Sequence, residues 1–185
     1  MKKKLRKEAL TKRTEMPAEE RAEKSRRITE HILQSEVYQK AKSVFSFVSM
    51  GTEAETRDIL KQAWKDGKIV AVPKTKQGRE MVFLKIESLA DVKEGRFGVM
   101  EPVTQEERIP KAGDLFLVPG ALFDRNKNRI GYGGGFYDTY FEKYQGYRKV
   151  GVAFSEQISE TAIPMEETDI PLDDIVTENG WEELR

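Results

Sequence analysis

Residues 43–73 read SVFSFVSMGTEAETRDILKQAWKDGKIVAVP. The opening run, Ser43 to Ser49, carries Val44, Phe45, Phe47 and Val48, the β-branched and aromatic content of a buried strand. It ends at Met50-Gly51. From about Glu55 to Asp66 the residues Thr56, Ile59, Leu60, Ala63 and Trp64 fall on one side of a helix, and Gly67 supplies its stop. Ile69 to Pro73, IVAVP, is a second strand. A strand, a helix and a second strand joined by short links predict a right-handed crossover between parallel neighbours.

The same alternation continues outward. Met81 to Ile86, Asp114 to Pro119, Lys149 to Phe154 and Asp174 to Thr177 read as strands, Phe136 to Tyr144 as a short helix, and Glu87 to Gly113 as mostly irregular. Toward the start, Leu5, Ala9 and Leu10 recur at helical spacing among cations, which predicts a basic helix over 2–14. Pro17 opens a second helix, with Glu19 and Glu20 at its positive end and Ala18, Ala22, Ser25, Ile28, Ile32 and Leu33 as its apolar stripe. The expected architecture is α/β: one domain over 1–185, built on a largely parallel, Rossmann-like sheet with helices on both faces. Ligands bind such sheets beyond the carboxyl ends of the strands, where Met50-Gly51 and Pro119-Gly120 both fall.

Lys plus Arg balance Asp plus Glu at 32 each, so no net field draws the molecule to a nucleic acid or an acidic membrane. Any anion site must be local. There is no cysteine, which removes disulfides, thiolate nucleophiles and Cys-based zinc sites. The single histidine, His31, sits on a charged helix and reads as solvated, leaving little support for a histidine metal site or a serine–histidine triad. Apolar runs are far shorter than the ~20 residues that span a bilayer, and the basic start is not followed by a signal peptide's apolar segment. The expectation is a cytoplasmic monomer without membrane or nucleic-acid partners.

Function points to residues 123–140, FDRNKNRIGYGGGFYDTY. Gly131, Gly133, Gly134 and Gly135 lie between a strand and a helix that opens near Phe136. Without side chains, backbone N–H groups can close on an anion, and the helix end adds partial positive charge. Arg129 can add a bidentate contact, Arg125 and Lys127 further positive potential, and Asp138 a carboxylate for magnesium. The spacing matches neither a Walker loop nor a dinucleotide fingerprint, since Phe136 occupies the last glycine position. A glycine-rich surface turn is the alternative.

Three further groups are candidates. The cations Lys2, Lys3, Lys4, Arg6 and Lys7 can place two charges one helical turn apart toward a polyphosphate; charge pattern alone favours a solvated tail. Glu55 is placed at the start of a helix on the same sheet edge and could accept hydrogen bonds from a ligand's amine and ring N–H groups, although a dipole-favoured N-terminal glutamate is the plainer reading. Met50 is as suited to core as to an aromatic ligand. Asp169, Asp173 and Asp174 form an acidic cluster, either a second magnesium ligand or an exposed turn.

With these residues in place, the chain resembles the 5-formyltetrahydrofolate cyclo-ligase family, also called methenyltetrahydrofolate synthetase, over nearly its whole length. The strongest element is VPGALFDRNKNRIGYGGGFYD, Val118 to Asp138. KKKLRKE at the start, FSFVSMGTEAET from Phe45 and ETDIPLDDIV from Glu167 resemble family segments in the expected order. The resemblance implies ATP contacts from Lys2, Lys3, Lys4, Leu5 and Arg6 and from Arg129, Ile130, Gly131, Tyr132, Gly133, Gly134, Gly135, Phe136 and Tyr137. It implies folate contacts from Met50, Glu55 and the Tyr132–Phe136 loop, Mg²⁺ near Asp138 and Asp169, and catalytic roles for Arg129 and Asp138. The implied reaction closes 5-formyltetrahydrofolate to 5,10-methenyltetrahydrofolate as ATP becomes ADP and phosphate, through a phosphorylated formyl oxygen attacked by N10.

Two positions depart from the family pattern. Lys127 stands where glycine is usual and must take a positive φ; Phe136 replaces a tyrosine and lacks its hydroxyl. Arg129 is expected to face ligand, so its truncation should spare the fold. The rivals are a sugar-phosphate isomerase, which would bind phosphate without hydrolysing ATP, and an RNA-binding module stacking bases on Tyr132, Phe136 and Tyr137, which the absence of a broad basic stripe disfavours.

Overall fold

The computed structural model describes residues 1–182. Its centre is an eight-stranded sheet. The opening unit forms β1 (Ser43–Ser46), α4 (Arg57–Lys65) and β2 (Ile69–Thr75), preceded by α1 (Lys2–Glu15), α2 (Ala18–Gln34) and α3 (Glu36–Lys40). Hairpin partner β3 (Met81–Ile86) follows, then β4 (Val92–Glu94), β5 (Met100–Pro102) and β6 (Glu107–Arg108). The second half contributes β7 (Leu115–Val118), β8 (Leu122–Asp124), β9 (Arg129–Ile130), α5 (Phe136–Lys143), β10 (Arg148–Val152), β11 (Ile158–Ser159), β12 (Asp174–Thr177) and β13 (Gly180–Trp181).

The sheet runs β13-β12-β10-β7-β1-β2-β3-β6. Neighbours from β12 through β10, β7 and β1 to β2 are parallel, while β13, β3 and β6 are antiparallel additions at the edges. In chain order the parallel strands lie second, first, third, fourth, fifth. The direction of winding therefore reverses between β1 and β7, and the crevice above their carboxyl ends is the topological switch point at which such sheets bind ligands.

Alternation along each strand supplies both faces. Val44, Val70, Val72, Leu115, Leu117 and Val150 pack with Ile28 and Ile32 of α2 and Ile59, Leu60 and Ala63 of α4. Their neighbours Phe45, Ala71, Phe116 and Val118 point the other way, to Tyr140 and Phe141 of α5 and to Phe83 and Phe123. Both faces are buried, which is why these strands read as continuous apolar runs. Helix α1 stands apart, seating Leu5 and Ala9 on Leu122, Ile130 and Ile163.

Several sequence readings shift. The strand read over 43–49 pairs only to Ser46, since Ser49 N–H donates to the Thr56 hydroxyl, which itself donates to Phe47 O. Glu55 precedes the Thr56 cap and does not start the helix. The irregular stretch 87–113 contains the β4–β5 ribbon and the edge strand β6. β7 does not run directly into the glycines: the β8–β9 hairpin intervenes and joins β11 in a separate small sheet. His31 is half-buried, with its Nε2 3.1 Å from Glu178 O.

Candidate functional site

Three segments converge on the switch-point crevice. The β1–α4 loop brings Met50 to Glu55, the residues after β9 bring the glycines, and α1 lies across the top. Among the described residues, no acceptor takes the backbone N–H groups from Gly131 to Gly135. They are donors at the mouth of α5, where the helix end adds partial positive charge. Gly135 caps α5 at φ 70°, a left-handed conformation costly for any residue with a Cβ. A Cβ on Gly131 would meet Arg129 Nη1 at 2.6 Å, and one on Gly134 the Phe136 ring at 2.7 Å. The glycines are thus required by close approach as well as by backbone angle.

Arginines surround this backbone. Arg6 Nε donates to Gly131 O at 2.7 Å, and its guanidinium lies over Gly133. Arg79, from the β2–β3 hairpin, approaches Gly135, with Nη1 3.3 Å from the point a Cβ would occupy. Arg129 sits beneath. A charge-neutral protein thereby concentrates cations on one loop.

The structure corrects the reading of Arg129 as a ligand-facing side chain. It is 7 % exposed, donates through Nη1 to Pro119 O at 3.2 Å, pairs through Nη2 with Asp138 Oδ2 at 3.5 Å and stacks on Tyr137 at 5.3 Å. Burial pulls its pKa down, with the Asp138 charge opposing. Its Nε is buried without a partner; the contacts to Pro119, Asp138 and Tyr137 make Arg129 a pillar under the loop.

Asp138 Oδ1 accepts from Ile170 N–H at 3.1 Å, which places Asp169 next to it in the same corner. Asp169 is held by Lys2 and by Glu166 N–H. Burial alone would raise its pKa, but the Lys2 and Glu166 hydrogen bonds and the Lys2 and Arg129 charges bring it below the ordinary value. Asp173 and Asp174 leave the candidate list: Asp173 is bound by Lys149 and Asp174 by Arg148 and Lys127, as structural ion pairs around the start of β12. Lys127 has the positive φ expected of it, 66°, and its Nζ donates to Asp173 O at 2.7 Å.

Helix α1 sorts the N-terminal cations by face. Lys2, Leu5 and Arg6 turn toward the body, whereas Lys3, Lys4 and Lys7 are exposed, so the segment is not a solvated tail. Arg13, two turns beyond Arg6, is buried and was not singled out in the sequence. It donates to the Thr52 hydroxyl at 3.0 Å and to the Tyr132 hydroxyl at 3.0 Å. The helical period from Lys2 through Arg6 to Arg13 is the signal that could have found it.

On the facing loop, Glu55 accepts from the Ser49 hydroxyl at 2.5 Å and from Arg57 N–H at 2.9 Å. These bonds and the Arg57 charge outweigh burial and hold its carboxyl below the usual range. Glu53, also not singled out, accepts from Met50 N–H at 2.9 Å and from the Tyr132 hydroxyl at 2.8 Å. There burial wins and raises the pKa. A surface hollow lined by Leu33, Tyr38, Gln62, Asp66 and Lys68 lies by the amino end of β2, away from this site.

A profile of the 5-formyltetrahydrofolate cyclo-ligase family matches residues 1–178. The mouse protein named 5-formyltetrahydrofolate cyclo-ligase is 32 % identical over 178 residues, covering 89 % of this chain and 87 % of its own. The Escherichia coli K12 protein of the same name is 32 % identical over 149 residues, 77 % of this chain and 81 % of its own. The NMR structure of Aquifex aeolicus 5,10-methenyltetrahydrofolate synthetase superposes with a TM-score of 0.86 at 34 % identity, covering 100 % of this chain and 93 % of that one. A Mycoplasma pneumoniae synthetase shares the fold, with a TM-score of 0.76 at 20 % identity. Among the described residues, no helix is long and apolar enough to cross a membrane.

Proposed function

The chain belongs to the 5-formyltetrahydrofolate cyclo-ligase family, and from that premise we propose that it converts 5-formyltetrahydrofolate and ATP to 5,10-methenyltetrahydrofolate, ADP and phosphate, with Mg²⁺ as cofactor. The observation that carries the ATP dependence is the run of unpartnered N–H groups from Gly131 to Gly135, ringed by Arg6 and Arg79 and supported by Arg129. Polyphosphate is the ligand such a nest suits.

The chemistry explains the nucleotide. A formamide oxygen is a poor leaving group, and its phosphate ester is a good one. The formyl oxygen takes the γ-phosphoryl group as ADP departs; N10 then attacks the formyl carbon, the C–O bond breaks to release phosphate, and the N10 proton is lost. The chain supplies placement and charge: the loop amides and Arg6 hold the phosphates in line with the formyl oxygen, and Arg79 meets them from the opposite rim. Met50 and Glu55 lie on the β1–α4 loop, which Glu53 ties to Tyr132 of the glycine loop, and orient the folate, Glu55 through carboxylate lone pairs not taken by Ser49 and Arg57.

Asp138 and Asp169 fit a magnesium site of the kind that keeps several waters and uses one or two carboxylates with phosphate oxygens. No cluster of three acidic or histidine ligands exists among the described residues, so waters and phosphate oxygens of the nucleotide would complete the shell. When bound, the ion neutralises charge on the transferring phosphoryl group. The test is purified protein with 5-formyltetrahydrofolate, ATP and Mg²⁺, followed by the ultraviolet absorbance of the methenyl product. Product formation that stops without ATP or on chelation is expected; folded protein that yields no product refutes the assignment.

A further inference from the structure

Between Ile130 and Phe136 the loop carries a single side chain, Tyr132, with glycine at every other position. That side chain is therefore the one side-chain handle this stretch itself offers, beside the backbone bond from Arg6 to Gly131 O. Tyr132 is 47 % exposed, yet its hydroxyl reaches inward to two charged groups. It donates to Glu53 Oε1 at 2.8 Å and accepts from Arg13 Nη1 at 3.0 Å.

Both groups grip the facing loop as well. The second Glu53 oxygen accepts from Met50 N–H at 2.9 Å, and Glu53 N–H donates to Met50 O at 3.1 Å, closing a tight turn. Arg13 Nε holds the Thr52 hydroxyl in the same turn at 3.0 Å, while its Nη1 lies 3.5 Å from Gly120 O, just after β7. Gln157 fixes Gly120 O in turn at 2.9 Å. The Tyr132 hydroxyl thus bridges the crevice, tied to α1 through Arg13 and to the 50–53 turn through Glu53, with the residue after β7 one step further on through Arg13. Hydrogen bonds of 2.8 and 3.0 Å are lost when an atom moves by less than about 1 Å. The glycine loop and the Met50 turn can shift together without breaking them, but not independently.

Resting on the function proposed above, we propose that Glu53 and Arg13, through the Tyr132 hydroxyl, are positioning residues that couple nucleotide binding at the glycine loop to folate binding at the Met50 turn. A nucleotide that orders residues 131–135 sets Tyr132, and Tyr132 sets the turn that orients the folate. By linkage the folate must tighten nucleotide binding by the same factor. The two hydrogen bonds involve charged partners, the class worth most in a partly desolvated site.

The test uses Tyr132→Phe, which keeps the ring and removes only the bridging oxygen, with Glu53→Gln as a second variant that keeps an acceptor and removes the charge. Calorimetry measures the dissociation constant of a non-hydrolysable ATP analogue with and without 5-formyltetrahydrofolate. The wild type is expected to bind the analogue about tenfold more tightly when the folate is present, equivalent to ~1.4 kcal/mol. In Tyr132→Phe that factor falls toward one and the KM for folate rises, while the melting temperature falls by a few degrees and the protein stays folded at assay temperature; Glu53→Gln loses part of the factor. An unchanged factor in Tyr132→Phe, or no factor in the wild type, overturns the coupling. A wild type that binds neither ligand instead refutes the proposed function. In that case amide exchange decides the clamp: residues 49–54 and 131–135 must exchange faster together in Tyr132→Phe, and unchanged protection overturns it.

Discussion

Replacing Arg129 by alanine should unfold the protein more easily as well as weaken its chemistry. The guanidinium lies in a slot bounded by Pro119 O, Asp138 and the Tyr137 ring, directly under Gly131. Truncation removes a charge-assisted hydrogen bond to a buried carbonyl, worth ~1.5–3 kcal/mol, and leaves Asp138 without its cation. A fully buried pair broken in this way costs ~3–5 kcal/mol. The Asp138 side chain is 23 % exposed, so water can partly resolvate it, which argues for the lower end. The two terms share one side chain and do not add. We expect a loss of about 3 kcal/mol.

For a chain of this length each 1 kcal/mol lowers Tm by ~2–4 °C, so Arg129→Ala should melt about 6–12 °C below the wild type by circular dichroism. Urea denaturation should show the same loss as a reduced midpoint with unchanged slope. Arg129→Lys keeps a cation but cannot reach Pro119 O and Asp138 together, and should fall between the two. An Arg129→Ala protein with Tm within about 2 °C of the wild type would refute the pillar and restore the ligand-facing reading.

Lys127 separates strain from contact. Lys127→Ala keeps the positive φ and loses the bonds to Asp173 O and Asp174, whereas Lys127→Gly loses the bonds but relieves the backbone, so the alanine variant should be less stable by ~1 kcal/mol in urea. Gly135→Ala places a Cβ 3.3 Å from Arg79 at φ 70°; we expect ~1–2 kcal/mol of destabilisation and a raised KM for ATP in steady-state assays, and wild-type kinetics would count against the cradle. Lys2→Ala tests the Asp169 pair through pH. The folded Asp169 pKa is depressed, so the stabilisation is present above the ordinary carboxylate pKa of about 4 and is lost as pH falls through the lower folded value. The urea midpoint difference between Lys2→Ala and wild type should therefore be present at neutral pH, worth ~1 kcal/mol or less for a partly exposed pair, and vanish in acid.

The parts of the fold legible in the sequence were those where one residue type can satisfy only one environment. Val44 beside Phe45, and Leu115 and Leu117 beside Phe116 and Val118, must be buried on both faces, so the strands and their parallel character followed from local pattern. Strand order did not, because it depends on which face each long connection covers. The β8–β9 hairpin was hidden for a related reason: Phe123-Asp124 looked like part of a loop until Asp124 was seen to bind Asn126, Asn128 and Ile163 N–H groups, a turn closed by a residue 39 positions away. In the candidate site, glycine at 131, 133, 134 and 135 was readable because its absence of a side chain is itself the signal. Side-chain direction was not. Arg129 and Arg6 carry the same charge near the same loop, yet one is buried under it and the other lies above. Glu53 and Glu55 differ by two positions, but only Glu53 meets Tyr132; burial pushes both carboxyls up, and only at Glu55 do the Ser49 and Arg57 hydrogen bonds and the Arg57 charge bring the pKa below the ordinary value. Tertiary contact, not residue type, assigns these roles, so variants at Arg129, Glu53 and Tyr132 discriminate more sharply among readings than further changes to the glycines.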